Sequence, residues 1–178
     1  MLIDNFVLSI SSKMKSKYPL ELPERDVLEY ALKFIITNVI PIITIILYGI
    51  VSDNLINILL SLGAFSLLRM FSGGYHIKSP ELCIVTSIAL IISLGQFGYL
   101  MADYIVLMNI ISLILVIIYA PSNIRKQTLI PEKYDMILKL ISCVIILINI
   151  YINNTYVSIS ILAQSILLIR PLKGGEKE

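Results

Sequence analysis

From Val27 to Ile169 the chain is a succession of apolar runs, each closed by a short polar break. No other feature limits the possible folds as strongly. A helix needs about 20 apolar residues, and no fewer than about 17, to cross the hydrocarbon of a bilayer. The runs at 27–51, 54–71, 81–100, 104–120, 134–151 and 155–169 are therefore read as six transmembrane helices, with Pro41 a kink position in the first. Several are short and suit helices standing close to the bilayer normal. Composition agrees, with 15% charged residues and a mean hydropathy of +0.89, where soluble domains carry about 25% charge. The expected fold is all-α, a polytopic membrane protein.

Lysine and arginine orient the helices. Lys13, Lys15, Lys17 and Arg25 precede the first run. Arg69 and Lys78 lie between the second and third, and Arg125, Lys126 and Lys133 between the fourth and fifth. Arg170, Lys173 and Lys177 follow the last, while Lys33 and Lys139 sit near the same-side ends of their runs. The intervening breaks, around Asp53, Asp103 and Asn153–Asn154, carry no cation, so all 14 fall on one side. The positive-inside rule makes that side cytoplasmic, with both termini there. An odd number of spans would destroy the segregation.

One domain is expected over residues 1–178: a six-helix bundle at 27–169, a cytoplasmic tail at 170–178, and a separate piece at 1–17. In that last piece Leu2, Ile3, Phe6, Val7, Ile10 and Met14 recur at helical spacing, the pattern of an amphipathic helix lying on the inner leaflet. The net charge of +2 is small, and no basic run points to nucleic acid. Two cysteines make no disulfide framework. No cleavable signal pattern opens the chain.

Against this background the stretch RMFSGGYHIKSPELC, residues 69–83, stands apart. It holds an Arg, a Gly pair, the single His, a Pro, a Glu and one of the two Cys. Gly73–Gly74 ends the preceding helix. Ser79, Pro80 and Glu81 are a helix start, as N-cap, N1 and first-turn acid. Cys83 then falls in the first turn, where unpaired amides favour a thiolate and offer donors to an oxyanion. His76 is the available base. On one continuous helix seven residues would separate the two by about 10 Å, too far for proton transfer, but the Gly pair and Pro80 permit a turn that brings the imidazole back. Cys143, in LKLISCVIIL, has only apolar neighbours and reads as packing.

Gly-Gly-x-His-x6-Cys after an Arg, in a small multi-spanning chain with YAP at Tyr119–Pro121, resembles the accessory gene regulator protein B (AgrB) family. The resemblance covers most of the chain. It implies a bacterial cell-membrane cysteine endopeptidase that processes the precursor of a quorum-sensing peptide, without a cofactor. It implies Cys83 as nucleophile and His76 as base, with Arg69 and Gly74, beside Gly73, at positions needed for activity. Arg125 and Lys126 match the family's basic loop less closely. The reaction implied is cleavage of the precursor's C-terminal segment through a Cys83 thioester, followed by thiolactone closure. Glu81 either supports the catalytic pair or only caps its helix, and Arg69 either binds an acidic part of the substrate or anchors its helix among lipid phosphates. The expected partners are the precursor peptide, the phospholipid membrane and a second copy of the chain. For that dimer Gly63, Ala64 and Ser66 offer a small-residue stretch on the second span.

Two readings from other classes stay open, a small peptide transporter and a non-catalytic membrane partner. The spans carry few ionisable groups for a transport path, and only the peptidase needs both His76 and Cys83. A zinc site is disfavoured by the absence of H-E-x-x-H and the single His. A serine protease of the membrane interior would need its His buried within a span.

Overall fold

The structure, a computed structural model, describes residues 2–75, 77, 79–122 and 131–169. Among the described residues the regular structure is all helical, apart from one isolated bridge between Gly73 and Ser122. The helices are α1 (Leu2–Lys17), α2 (Arg25–Val51), α3 (Leu55–Ser72), α4 (Pro80–Phe97), α5 (Ile105–Tyr119), α6 (Asp135–Ile152) and α7 (Thr155–Ile166). A 3-10 segment, Gly98–Tyr104, joins α4 to α5, and Met101 there leaves helical geometry at φ −104°, ψ 16°.

Among the described residues, four stretches are long and apolar enough to cross a membrane: Arg25–Val51, Leu55–Ser72, Pro80–Tyr119 and Glu132–Ile152. The third, 40 residues long, holds both α4 and α5. With 12 residues, α7 is apolar but shorter than that threshold.

Contacts at the two ends of the bundle set the helix directions. At one end the start of α3 meets the end of α4, where Asn54 donates to the Gly95 carbonyl at 2.9 Å. At the same end Gly98 packs against Tyr156 at the start of α7. Asn149, near the end of α6, donates to Asn109 near the start of α5 at 3.0 Å and to Ser158 of α7 at 2.8 Å. At the other end Gly74 and Ser122 pair, Tyr75 reaches Leu167, and Lys139 of α6 donates to the Ile117 carbonyl. From α2 to α7 the chain thus reverses direction with each helix. The cation-free turns at Asp53 and Asn153, both at positive φ (52° and 58°), lie at the first end, and Arg69 and Lys139 lie at the second.

Burial is inverted relative to a soluble protein. Ser61, Ser72, Asn109, Ser112, Ser142, Ser158, Ser160, Gln164 and Ser165 are each fully buried. Outside, Val106 is 65% exposed and Ile118 61%. Small polar side chains let helices approach closely, and several are satisfied by their own helix; Ser112, Ser142 and Ser165 each donate to the carbonyl four residues back, at 2.7, 2.9 and 2.8 Å. An apolar exterior around such an interior suits lipid and not water. Two apolar clusters complete the core, one around Leu68, Val116, Ile146 and Ile161, the other around Ile45, Ile58 and Ile91.

The small residues of α3 do not form one exposed stripe. Ala64 is buried in the first cluster, a side chain on Gly63 would meet nothing within 4 Å, and Ser66 faces a cleft toward α2. Helix α1 occupies the stretch expected to lie on the inner leaflet, and it lies partly against protein: Val7 and Ser11 are buried while Phe6 is exposed.

Candidate functional site

At the cation-bearing end the Gly pair joins three helices. Gly73 follows α3 at φ 72° and Gly74 adopts φ 134°, backbone that side chains with a Cβ rarely enter. The Gly74 N–H donates to the Ser122 carbonyl at 2.8 Å, the Ser122 N–H to the Ser72 carbonyl at 2.9 Å, and the Tyr75 N–H to the Leu167 carbonyl at 2.9 Å. Ser122 is brought here by YAP, whose Ala120–Pro121 bond is cis. Gln164 of α7, fully buried, donates through Nε2 to the Gly73 carbonyl at 2.6 Å and to Ser72 Oγ at 3.3 Å. Its Oε1 accepts from Arg69 Nη1 at 3.2 Å. A Cβ on Gly74 would stand 3.2 Å from that same Gln164 Nε2.

Arg69 is held on three sides. Beyond Gln164, its Nη2 donates to the Tyr75 carbonyl at 2.8 Å, and its guanidinium stacks over the Phe65 ring at 5.7 Å. Every one of these partners is neutral, so the arginine keeps a charge that no described carboxylate takes up.

Helix α4 starts where Ser79–Pro80 predicts. Ser79 is the N-cap, its Oγ accepting from the Leu82 N–H at 3.5 Å, and Pro80 is the first helical residue. Cys83 follows in the first turn, half-buried, its own N–H bonded to the Ser79 carbonyl at 3.0 Å. The amides of Leu82 and Cys83 are therefore both engaged by Ser79, and neither is the unpaired oxyanion donor expected from the sequence. Glu81 accepts from Ser79 Oγ at 2.9 Å and from the Ile3 N–H at 3.2 Å.

Cys83 and Arg69 share a cleft of about 370 Å³ bounded by α2, α3 and α4, with Lys33, Thr37 and Ile77 also on its walls. Toward its inner end the walls turn apolar, with Pro41, Ile45 and Ile91. Both side chains also face a second space of about 270 Å³ that reaches Leu167. The Cys83 sulfur lies within electrostatic reach of the Arg69 guanidinium.

The structure thus gathers Arg69, Gly73, Gly74, Glu81 and Cys83 at one end of the bundle. His76, Arg125 and Lys126 lie outside the described residues. Cys143 packs with Leu113 and Ile145 against the first apolar cluster, far along the sequence from the cleft. Among the described residues no three of His, Cys, Asp and Glu form a metal-binding group.

Gln164 was missed in the sequence, although a lone amide in ILAQSILLI is a polar group inside an apolar span and invites the question of its partner. Ser122 carried no comparable signal, since its contribution is a backbone pairing. Lys33, near the cation-bearing end of its run, stands on the cleft wall.

Comparison with known proteins agrees with these features. A "Putative AgrB-like protein 2" of Clostridium perfringens (strain 13 / Type A) is 24% identical over 162 residues, covering 85% of this chain and 76% of that protein. The "Accessory gene regulator protein B" of Staphylococcus haemolyticus (strain JCSC1435) is 26% identical over 156 residues, covering 85% and 81%. A protein of the same name from Staphylococcus saprophyticus is 29% identical over 112 residues, 59% of each chain. No solved structure matches. A model described as "Accessory gene regulator B" matches residues 7–172, and with nearly the whole length of the bundle inside that match, the chain belongs to the AgrB family, the accessory gene regulators of quorum sensing.

Proposed function

We propose that the protein is a membrane cysteine endopeptidase that cleaves a quorum-sensing precursor peptide at the cytoplasmic face of a bacterial cell membrane. The observation that carries this reading is Cys83 in the first turn of α4, on the wall of a cleft it shares with Arg69. His76 takes the thiol proton, and the sulfur adds to a peptide carbonyl. The tetrahedral adduct collapses, the C-terminal segment leaves as an amine carrying the proton, and a thioester remains on Cys83. A thiol within the precursor, giving its proton to His76, then attacks that thioester, closes a thiolactone and releases Cys83 as the thiolate. One thioester replaces another, so the exchange is near isoenergetic and needs no ATP. A cleft with apolar inner walls keeps water from the thioester meanwhile.

Arg69, whose hydrogen-bond partners among the described residues are neutral, binds an acidic part of the substrate, and Arg125 and Lys126 add positive charge on the same side. Each of α2 to α7 is a membrane span, giving six, with the cation-bearing end cytoplasmic. Helix α1 lies at the inner surface, Phe6 toward lipid, and the chain acts as a homodimer.

Mass spectrometry of a co-expressed precursor tests the reading. Wild-type protein is expected to release the C-terminal segment, while Cys83→Ala and His76→Ala leave the precursor intact. Cleavage by both variants at the wild-type rate would refute the catalytic pair. Export of uncut precursor by the wild type would favour a transporter.

A further inference from the structure

Glu81 stands two residues before Cys83, and each of its carboxylate oxygens already has a donor. Oε1 accepts from the Ile3 N–H in the first turn of α1, and Oε2 accepts from the Ser79 hydroxyl. Ser79 in turn caps the Leu82 N–H. A single relay of hydrogen bonds therefore runs from α1 through Glu81 and Ser79 to the helix start that carries Cys83. Such chains polarise and orient one another, so losing the central member disturbs both neighbours.

Two more contacts fasten α1 beside the cleft. Asp4, the next residue after Ile3, pairs with Lys33 of α2 at 2.6 Å, and Lys33 lines the cleft with Cys83. Ser11, fully buried, donates to Glu29 of α2 at 3.1 Å. The first turn of α1 thus reaches both walls of the cleft mouth, α4 through Glu81 and α2 through Lys33.

We propose that Glu81 is a positioning residue that latches the first turn of α1 to the start of α4 and thereby fixes Cys83, and that it is not a third catalytic group orienting His76. This rests on the reading of Cys83 as nucleophile. The distinction is chemical. A triad carboxylate acts through its negative charge on the imidazole, whereas a latch needs only an acceptor oxygen for the Ile3 N–H and the Ser79 hydroxyl. Glutamine supplies that oxygen; alanine does not.

The test uses full-length protein in membrane vesicles, in a Cys143→Ser background so that Cys83 is the sole thiol. Two readouts are taken: the alkylation rate of Cys83 by N-ethylmaleimide, and precursor cleavage as kcat and KM across pH. Ile3→Pro deletes the N–H donor at a helix start, a place that tolerates proline. Expected are a drop of about tenfold in kcat for Glu81→Ala and for Ile3→Pro, with KM changed less, and a shift of at least about threefold in alkylation rate for both. The double variant should be no worse than either single one, as for residues joined by one interaction. Glu81→Gln should stay within about threefold of the parent with an unshifted pH profile.

Loss in Glu81→Gln equal to that in Glu81→Ala, with a moved pH profile, would overturn the latch in favour of a charged catalytic role. So would a silent Ile3→Pro beside an inactive Glu81→Ala. Alkylation unmoved in both would overturn it whatever the cleavage data show. Because alkylation does not depend on turnover, the latch is judged even where Cys83→Ala still cleaves and the peptidase reading itself fails.

Discussion

Gln164 shows how much a single side chain contributes to this site. Its amide uses both ends, donating to the Gly73 carbonyl and accepting from Arg69, so that α7 holds the strained turn and the arginine at once. Gln164→Leu removes both contacts and leaves a buried carbonyl without its donor, which costs about 1–3 kcal/mol. A lowered thermal midpoint in detergent, together with at least tenfold slower precursor cleavage, is the expected outcome. Tyr75→Ala offers the contrast: Tyr75 takes part through its backbone, and its half-exposed ring can go with a stability change within about 0.5 kcal/mol. At this scale the sequence was only partly readable. The Gly pair, Ser79, Pro80 and Cys83 announce themselves because their chemistry is local. Gln164 acts on residues 91 positions away, and its partners are invisible without the fold.

Helices were the most legible level. Apolar runs bounded by Asp53, Asp103 and Asn153 yield helix limits close to those observed, because hydrophobic length dictates them, although α4 ends at Phe97, short of the expected Leu100. What the runs do not disclose is which face meets which neighbour. Gly95 and Gly63 illustrate this. Both read as small residues in apolar helices, yet a Cβ on Gly95 would lie 2.6 Å from Ile58 Cγ1 and 2.8 Å from its Cα, while one on Gly63 would meet nothing. Gly95→Ala is therefore expected to push α3 from α4 and to destabilise by about 1–3 kcal/mol. Gly63→Ala should be neutral or slightly stabilising, since alanine is the better helix former. Thermal unfolding of the two variants side by side checks both.

Across the whole molecule the placement of charge and the directions of the helices agree: the turns without cations share one end, and Arg69, Lys139 and Cys83 share the other. The cytoplasmic orientation proposed above from the positive-inside rule can be measured. In a chain with both cysteines replaced by serine, Asp103→Cys should react with a membrane-impermeant maleimide on intact cells. Lys17→Cys should react only after permeabilisation. Reaction of both from outside would break the alternation of spans from α2 to α7.

The shortness of α7 has a physical consequence for the lipid around it. Twelve residues of helix reach about 18 Å, well under the roughly 30 Å of a typical hydrocarbon layer. A span that short pulls the nearby leaflet inward. Leu167, just past its end, accepts from the Tyr75 N–H, so on the six-span reading proposed above the turn before α4 would sit in a dimple of the membrane surface. Thicker bilayers fill such a dimple, and cleavage should fall several-fold as the protein is moved from short-chain to long-chain phosphatidylcholine vesicles.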